Sequence, residues 1–305
     1  MFHQALAAVS VDRIRTHVQS IEGIRHPVAA PAALERAGRY LAKTLEELGY
    51  DMGEHFFHDN GSQFSNIIAT RAGSLFPDQR VIVVAHYDTV ETSPGADDNA
   101  SGVAVLLEIA TILSGFSFEK SLLLVGVNLE ENAGEGGTGK GTRGSKALAR
   151  LASEQGWEVA GVLVLESVAF AGESVPQRAP QGLPLEVPEQ GDFIAVIGNE
   201  RSQALVRGFE RAIDRYRVPL PFFSLVVPGN GEMLPDTRRS DHAPFWDKGF
   251  KAIMLTDTTN FRSPHYHRPS DTLETLNLPF AAQVCRATAG LVIDLAGPAG
   301  FGAHP

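Results

Sequence analysis

The run Val81-Ile82-Val83-Val84 passes directly into Ala85-His86-Tyr87-Asp88, and ten residues after Asp88 comes Asp98, within Gly95-Ala96-Asp97-Asp98-Asn99. A short, wholly apolar, β-branched run bounded by polar residues reads as a strand buried on both faces. Such a strand needs helices above and below it, which restricts the chain to an α/β architecture with a largely parallel sheet. The histidine and acids then fall at one end of the strand, the edge at which α/β proteins bind ligands.

The pattern recurs. Residues 121–127 (SLLLVGV) are apolar and are followed by Glu130-Glu131. Residues 159–165 (VAGVLVL) lead into Glu166, and residues 251–255 lead into a segment containing Ser263-Pro264-His265-Tyr266-His267. Strands must end in something polar, so one such coincidence carries little weight. Four strands that deliver acid or histidine at one end exceed what solubility requires. Imidazole with carboxylate is also the ligand set of a hydrolytic zinc site.

Helical signals alternate with the strands. Residues 31–48 open on Pro31 and stop before Gly49, as helix start and stop signals require. Residues 100–113 form an apolar helix beside the acid-rich loop, and residues 144–155 form another. Residues 200–217 carry Leu205, Phe209, Ile213 and Tyr216 on one stripe. Residues 241–248 read as a short helix, and residues 65–70 as a further strand. Residues 280–296 are an apolar helix holding Cys285, the only cysteine. No internal disulfide is possible, and this thiol reads as a packing residue. No linker interrupts the alternation, so residues 1–305 read as a single α/β domain.

Residues 172–191 (GESVPQRAPQGLPLEVPEQG) are rich in Pro and Gly without a period. They read as a long flexible loop. Val175, Leu183, Leu185 and Val187 can cover an apolar substrate, so the loop is expected to act as a flap, the alternative being a disordered surface excursion without contact to the site. The formal net charge of −10 argues against nucleic acid and anionic membranes as partners. The N-terminus MFHQALAAVSVDRIRTHV lacks a basic n-region and a sustained apolar core. No run is read as reaching the length of a membrane span. The expected location is therefore cytoplasmic.

Taken together, His86-Tyr87-Asp88, the stretch GADDNASG at 95–102, Glu130-Glu131, Glu166 and Tyr266-His267-Arg268-Pro269-Ser270-Asp271-Thr272 resemble the co-catalytic dizinc aminopeptidases. That family also holds glutamate carboxypeptidase-like enzymes and the zinc-dependent glutaminyl cyclases. The resemblance runs from about residue 30 to 295, and the order and spacing of its blocks make it specific. It implies that residues 1–305 are a single catalytic domain of α/β class, a three-layer sandwich with a mixed, mainly parallel central sheet and helices on both faces. It implies metal-dependent hydrolysis of a peptide bond by a hydroxide shared between two Zn2+ ions per chain. The substrate is a peptide or small aminoacyl compound, cleaved at its N-terminus. The resemblance implies that Asp98 bridges the metals, that His86 and Glu166 complete one, and that Glu131 and His267 complete the other. It assigns Glu130 as general base and Asp88 as the carboxylate that orients His86. Tyr266 becomes a donor to the developing oxyanion, though simple packing accounts for it equally well. A cis peptide between Asp98 and Asn99 is also implied.

Some motifs read differently. His265 is expected in the substrate pocket rather than on metal. Ser240-Asp241-His242 looks like a triad fragment, but consecutive residues cannot form that relay and no Gly-x-Ser-x-Gly elbow is present. The block is expected to support the pocket. Two alternatives for the whole chain stay open. One is a glutaminyl cyclase-like acyltransferase with a single zinc, against which stand the filled ligand positions. The other is a nucleotide-binding protein using the loop 134–144. There Gly134, Gly136 and Gly139 satisfy G-x-G-x-x-G, and Gly134, Gly139 and Lys140 nearly satisfy a phosphate loop, with Gly141 where Ser or Thr is required. The adjacent Glu130-Glu131 puts negative charge close to any phosphate there.

Overall fold

The apolar runs lie at the centre of an eight-stranded sheet in the computed structural model, which describes residues 2–131, 141–180 and 186–299. The strands are β1 (Asp51–Asp59), β2 (Ser62–Arg71), β3 (Phe76–His86), β4 (Lys120–Val127), β5 (Glu158–Glu166), β6 (Ile194–Asn199), β7 (Phe222–Val227) and β8 (Ala252–Thr256). Their order is β1-β2-β4-β3-β5-β8-β6-β7. The pairs β3/β4, β3/β5, β5/β8 and β6/β7 are parallel; β1/β2, β2/β4 and β6/β8 are antiparallel. The sheet is thus mixed and mainly parallel, with its central strands in one direction.

The helices are α1 (Phe2–Ala7), α2 (Val11–Ile21), α3 (Pro31–Glu47), α4 (Gly102–Leu113), α5 (Arg143–Glu154), α6 (Gln203–Tyr216), α7 (His242–Asp247) and α8 (Leu278–Ala296). The period of two in β3 assigns them to layers. Val81, Val83 and Ala85 pack with residues of α2, α3, α4, α6 and α8, while Ile82 and Val84 pack with Leu148 of α5 and Phe245 and Trp246 of α7. Each such side chain, fully buried, stabilises the fold by roughly 1.5–3 kcal/mol. Because both faces are covered there, the central strands carry only apolar residues and glycine over 81–85, 122–127 and 159–165. Their ends are therefore where polar chemistry collects.

The structure adds elements that pattern reading did not supply. Strand β1 pairs with β2 through Asn60-Gly61, both at positive φ, the two-residue turn that a hairpin favours. Strands β6 and β7 and the helices α1 and α2 are also additions. Helix α8 is, among the described residues, the one helix long and apolar enough to cross a membrane by length and composition. This corrects the expectation that no run reaches that length. In the fold it is a core helix, most of it buried.

The described parts of 172–191 form an antiparallel ribbon. Pro176 bridges Gln190, Gly191 N–H donates to the Val175 carbonyl at 2.7 Å, and Gln177 N–H donates to Glu189 at 2.8 Å. Arg178 N–H ties the ribbon to the Phe261 carbonyl at 2.8 Å. Leu183 and Leu185, expected in the flap, lie outside the described residues, as do Gly134, Gly136, Gly139 and Lys140 of the glycine-rich loop.

Candidate metal centre

Three parallel strands deliver the site at their C-terminal edge. β3 ends on His86, β4 runs out through Asn128 and Leu129 into Glu130-Glu131, and β5 ends on Glu166. Leu129 before the glutamate pair, Ser167 after Glu166 and His267 itself all hold positive φ, at 56°, 49° and 57°. Left-handed backbone at non-glycine residues is uncommon and gathers where function holds it.

The loop after β3 brings in Asp98. Gly95 adopts the left-handed conformation, and a Cβ there would stand 2.2 Å from the Asp98 carbonyl oxygen. Only glycine fits that turn. A Cβ on Gly102 would likewise stand 2.2 Å from Asn99 Oδ1. That oxygen accepts from the N–H groups of Gly102 and Ser167, and Asn99 Nδ2 donates to the Leu165 carbonyl at 2.8 Å. Asn99 thereby fastens the start of α4 to the end of β5. The Asp98-Asn99 peptide bond is cis, as the resemblance implied. Asp271 holds the same loop, accepting from the N–H groups of Asp97 (2.9 Å) and Asp98 (3.2 Å).

Asp98 faces two imidazoles with its two oxygens. His86 Nε2 is 3.2 Å from Oδ1, and His267 Nε2 is 3.2 Å from Oδ2. Glu166 Oε2 lies 3.5 Å from His86 Nε2, and Glu131 Oε2 lies 3.3 Å from His267 Nε2. Two ligand groups result, His86-Asp98-Glu166 and Asp98-Glu131-His267, sharing Asp98. Asp97 turns away; its Oδ1 accepts from the Ala169 N–H at 3.0 Å, and burial beside Asp257 raises its carboxyl well above the usual range.

These groups suit a metal ion. Among the described residues, His86 Nε2, Asp98 Oδ1, Glu131 Oε1 and His267 Nε2 are buried and lack a hydrogen-bond partner. Buried polar atoms are normally paired, so four orphans at one point need an explanation. His86 Nδ1 approaches the Asp88 carbonyl oxygen at 3.3 Å and Asp88 Oδ1 at 3.6 Å. Both are acceptors, so Nδ1 carries the hydrogen and Nε2 presents a lone pair to Asp98 and Glu166. A lone pair among carboxylates is unfavourable unless a cation sits between them. Nitrogen and oxygen donors without sulfur are a set that zinc accepts.

The ionisation of the metal-free cluster follows the same logic. Burial pushes Asp98 up, but the two imidazoles beside it, His267 and His86, outweigh that in their charged forms and hold the carboxyl below its usual range. Burial works against a charged His267, yet Asp98 and Glu131 raise it to about 10. Burial and the Asp98 charge raise Glu131 to about 7. Burial also raises Glu130 well above the usual range; His86 works against this, and Glu166 and Glu131 add to it.

The remaining expected residues fall as follows. Asp88 holds the glutamate pair as well as His86: its Oδ1 accepts from the Glu130 N–H (3.0 Å) and its Oδ2 from the Glu131 N–H (3.1 Å). Glu130 belongs to neither ligand group and lines a cavity of about 620 Å³ together with Tyr266. The cavity's far wall is apolar, with Phe193, Ile197, Phe223, Leu225 and Met254, and Val187 of the ribbon joins it. Phe261 lines it too. His265 does not play the expected pocket role; it bonds Ser270 Oγ at 2.9 Å and packs on Phe170. Ser240 donates to Glu166 Oε2 at 2.6 Å, and His242 bonds the Thr237 carbonyl, so this block supports the site and forms no triad. Sequence reading did not give Asp271, Asn99 or Arg25 a role. Arg25 is fully buried and donates to the carbonyls of Tyr87, Ile21, Gly23, Pro94 and Gly95, which locks the loop behind the site.

The sequence pattern of peptidase family M28 matches residues 66–292. The uncharacterized protein YfbL of Escherichia coli is 29% identical over 294 residues, covering 90% of this chain and 85% of its own. Against several fungal relatives the chain spans 51% to 64% of their length. Among solved structures, BSAP, a zinc aminopeptidase from Bacillus subtilis, superposes with a TM-score of 0.59 at 23% identity, covering 77% of this chain and 51% of that one. A glutaminyl cyclase from Porphyromonas gingivalis superposes with a TM-score of 0.72 at 20% identity, covering 94% and 98%. Identity at this level shows the shared fold.

Proposed function

The chain belongs to peptidase family M28 and is a zinc metallopeptidase, and on that premise we propose that it removes N-terminal residues from peptides using two zinc ions per chain. Asp98 would be shared between the ions, with His86 and Glu166 completing one site and Glu131 and His267 the other. The observation that carries this reading is Asp98 itself, whose two oxygens each stand 3.2 Å from a different imidazole. Bound there, zinc supplies a Lewis acid for the scissile carbonyl and lowers the pKa of water toward neutrality.

The chain's own residues do the rest. Glu130 lines the cavity and is outside both ligand groups, so it is free to take a proton from the attacking water and return it to the leaving amine. Asp88 fixes the backbone of Glu130 and Glu131 and the tautomer of His86. Tyr266 offers its hydroxyl to the carbonyl oxygen as charge builds on it. The acids lining the cavity, Asp98, Glu130, Glu131 and Glu166, attract the free ammonium group of a peptide N-terminus, and the apolar lining takes the first side chain. The apolar part of the cavity also strengthens each of these interactions by lowering the local dielectric.

The test is metal analysis of active protein together with a panel of aminoacyl, C-terminal and N-terminal glutaminyl substrates. Two zinc ions per chain with release of N-terminal amino acids is the expected outcome. One zinc per fully active chain, with cyclisation of N-terminal glutamine in place of hydrolysis, would assign the site to the acyltransferase class instead.

A further inference from the structure

Arg239 and Ser240 reach the two halves of the centre from one side. Ser240 bonds Glu166, and Arg239 reaches toward His267 through Tyr266. Arg239 Nη2 donates to the Tyr266 hydroxyl oxygen at 3.2 Å, and Nη1 donates to Asn260 Oδ1 at 3.0 Å. Asp236 Oδ1 stands 3.5 Å from Nη1. Tyr266 stacks on the His267 ring with centroids 3.8 Å apart. Arg239, Tyr266 and Glu130 all line the same cavity.

The chemistry of the contact is one-directional. A guanidinium has donors and no acceptor, so it must occupy a lone pair of the phenol oxygen. The phenol hydrogen is left over, and among the described residues no acceptor takes it. A donor that is already aimed and unpaired is what a developing oxyanion requires, because no reorganisation is needed when the charge appears.

We propose that Arg239 is a positioning residue for this reaction, holding Tyr266 so that its hydroxyl hydrogen is presented to the carbonyl oxygen of the scissile bond. This rests on the peptidase reading above. Asn260 is the outer anchor: it keeps the guanidinium from swinging into solvent, toward which Arg239 is half-exposed. The competing use of a rim arginine is to bind a carboxylate of the substrate directly, and the two uses predict different kinetics.

The experiment uses zinc-loaded protein and an aminoacyl 4-nitroanilide, with Tyr266→Phe, Arg239→Met and the double variant. Tyr266→Phe should lower kcat by about 10²-fold, the usual effect of losing one oxyanion donor. Arg239→Met should lower kcat by roughly tenfold with KM and zinc content unchanged, and should add nothing in the Tyr266→Phe background, since residues acting as a unit are not additive. An Arg239→Met effect confined to KM, or one that multiplies with Tyr266→Phe, overturns the proposal. Should Arg239→Met lose zinc, Asn260→Ala carries the same test, with a smaller loss of kcat that vanishes in the Tyr266→Phe background. A readout independent of turnover separates this inference from its premise. The 13Cζ resonance of Tyr266, identified by its loss in Tyr266→Phe, should shift in Arg239→Met. A shift in a protein inactive toward every substrate on the panel means that the peptidase reading has failed and the contact stands. A resonance that does not move overturns the inference whatever the activity.

Discussion

His86 and His267 face two oxygens of one carboxylate, but they are held by different means. His86 ends β3, its side chain is fully buried, and Asp88 fixes its second nitrogen. Its companion Glu166 ends β5 and is bonded by Ser240. His267 lies in an irregular segment at positive φ, its side chain is 34% exposed, and its ring is supported by the Tyr266 stack. Its companion Glu131 sits on the loop beyond β4, held through its backbone by Asp88. The sheet therefore organises one half in advance, while loops assemble the other. Preorganised ligands lose less conformational entropy on binding a metal, so the strand-borne half should bind more tightly.

Removing the shared element tests this comparison most severely. Asp98→Ala should cost both metals and lower activity by at least about 10³-fold, because several kcal/mol of transition-state stabilisation depend on the pair. Retention of one tightly bound zinc in that variant would show that the strand-borne half does not need the shared carboxylate. Glu130→Gln is the complementary experiment. It should keep both metals and lose about 10²- to 10⁴-fold in turnover. Should that variant stay active while Glu131→Gln binds zinc normally, the division of labour within the pair is reversed.

The asymmetry should be visible in metal release. Chelator titration is expected to strip the wild-type protein in two phases, with the His267 half emptying first. Ser240→Ala should weaken the late phase by about 10- to 100-fold, the usual effect of losing a residue that orients a ligand, and leave the early phase in place. Release in one phase that Ser240→Ala leaves unchanged would contradict the comparison.

Acidity bears on both halves: burial works against a charged His86, yet Glu166, Asp88 and Asp98 raise it well above its usual value. Metal-free His267 is protonated up to about pH 10, and Glu131 up to about 7. A metal must displace those protons, so affinity at this half should rise with pH. Between pH 7 and 9 the His267 proton alone gives roughly tenfold per pH unit, with a second proton joining below 7. Zinc competition assays at several pH values measure the slope, and a flat profile would mean that His267 is already neutral. The smallest effect belongs to the ribbon, whose described residues share the cavity wall but make no hydrogen bond to either half of the centre. Replacing 174–189 with a few Gly and Ser residues should leave both metals and change substrate preference a few-fold, read across aminoacyl substrates differing in side chain. Unchanged kinetics would remove the ribbon from the site.

What pattern reading reached, and where it stopped, follows from the range of the forces involved. The central strands announced themselves because burial on both faces demands unbroken apolar runs. The edge strand β1 alternates exposed and half-buried residues over most of its length, so its sequence carries little hydrophobic signal, and β6 and β7 are short. His86 and Glu166 were legible as residues that end strands, whereas Asp98, Glu131 and His267 stand in the loops beyond strands, and the family resemblance proposed the role of each. The structure then separated Asp98 from Asp97, neighbours that sequence alone barely distinguishes.

By itself, the sequence determined that a covered parallel sheet forms and that histidine and acid gather at one of its edges. These outcomes depend on local apolar patterning, which each segment carries within itself. The tertiary structure decided which oxygen faces which imidazole, and what holds each ligand in place. Asp271 meets Asp97 across 174 residues of chain, Ser240 meets Glu166 across 74, and Arg239 meets Tyr266 across 27. Such hydrogen bonds have no periodic signature. They exist only once the strand order has brought distant loops to the same edge.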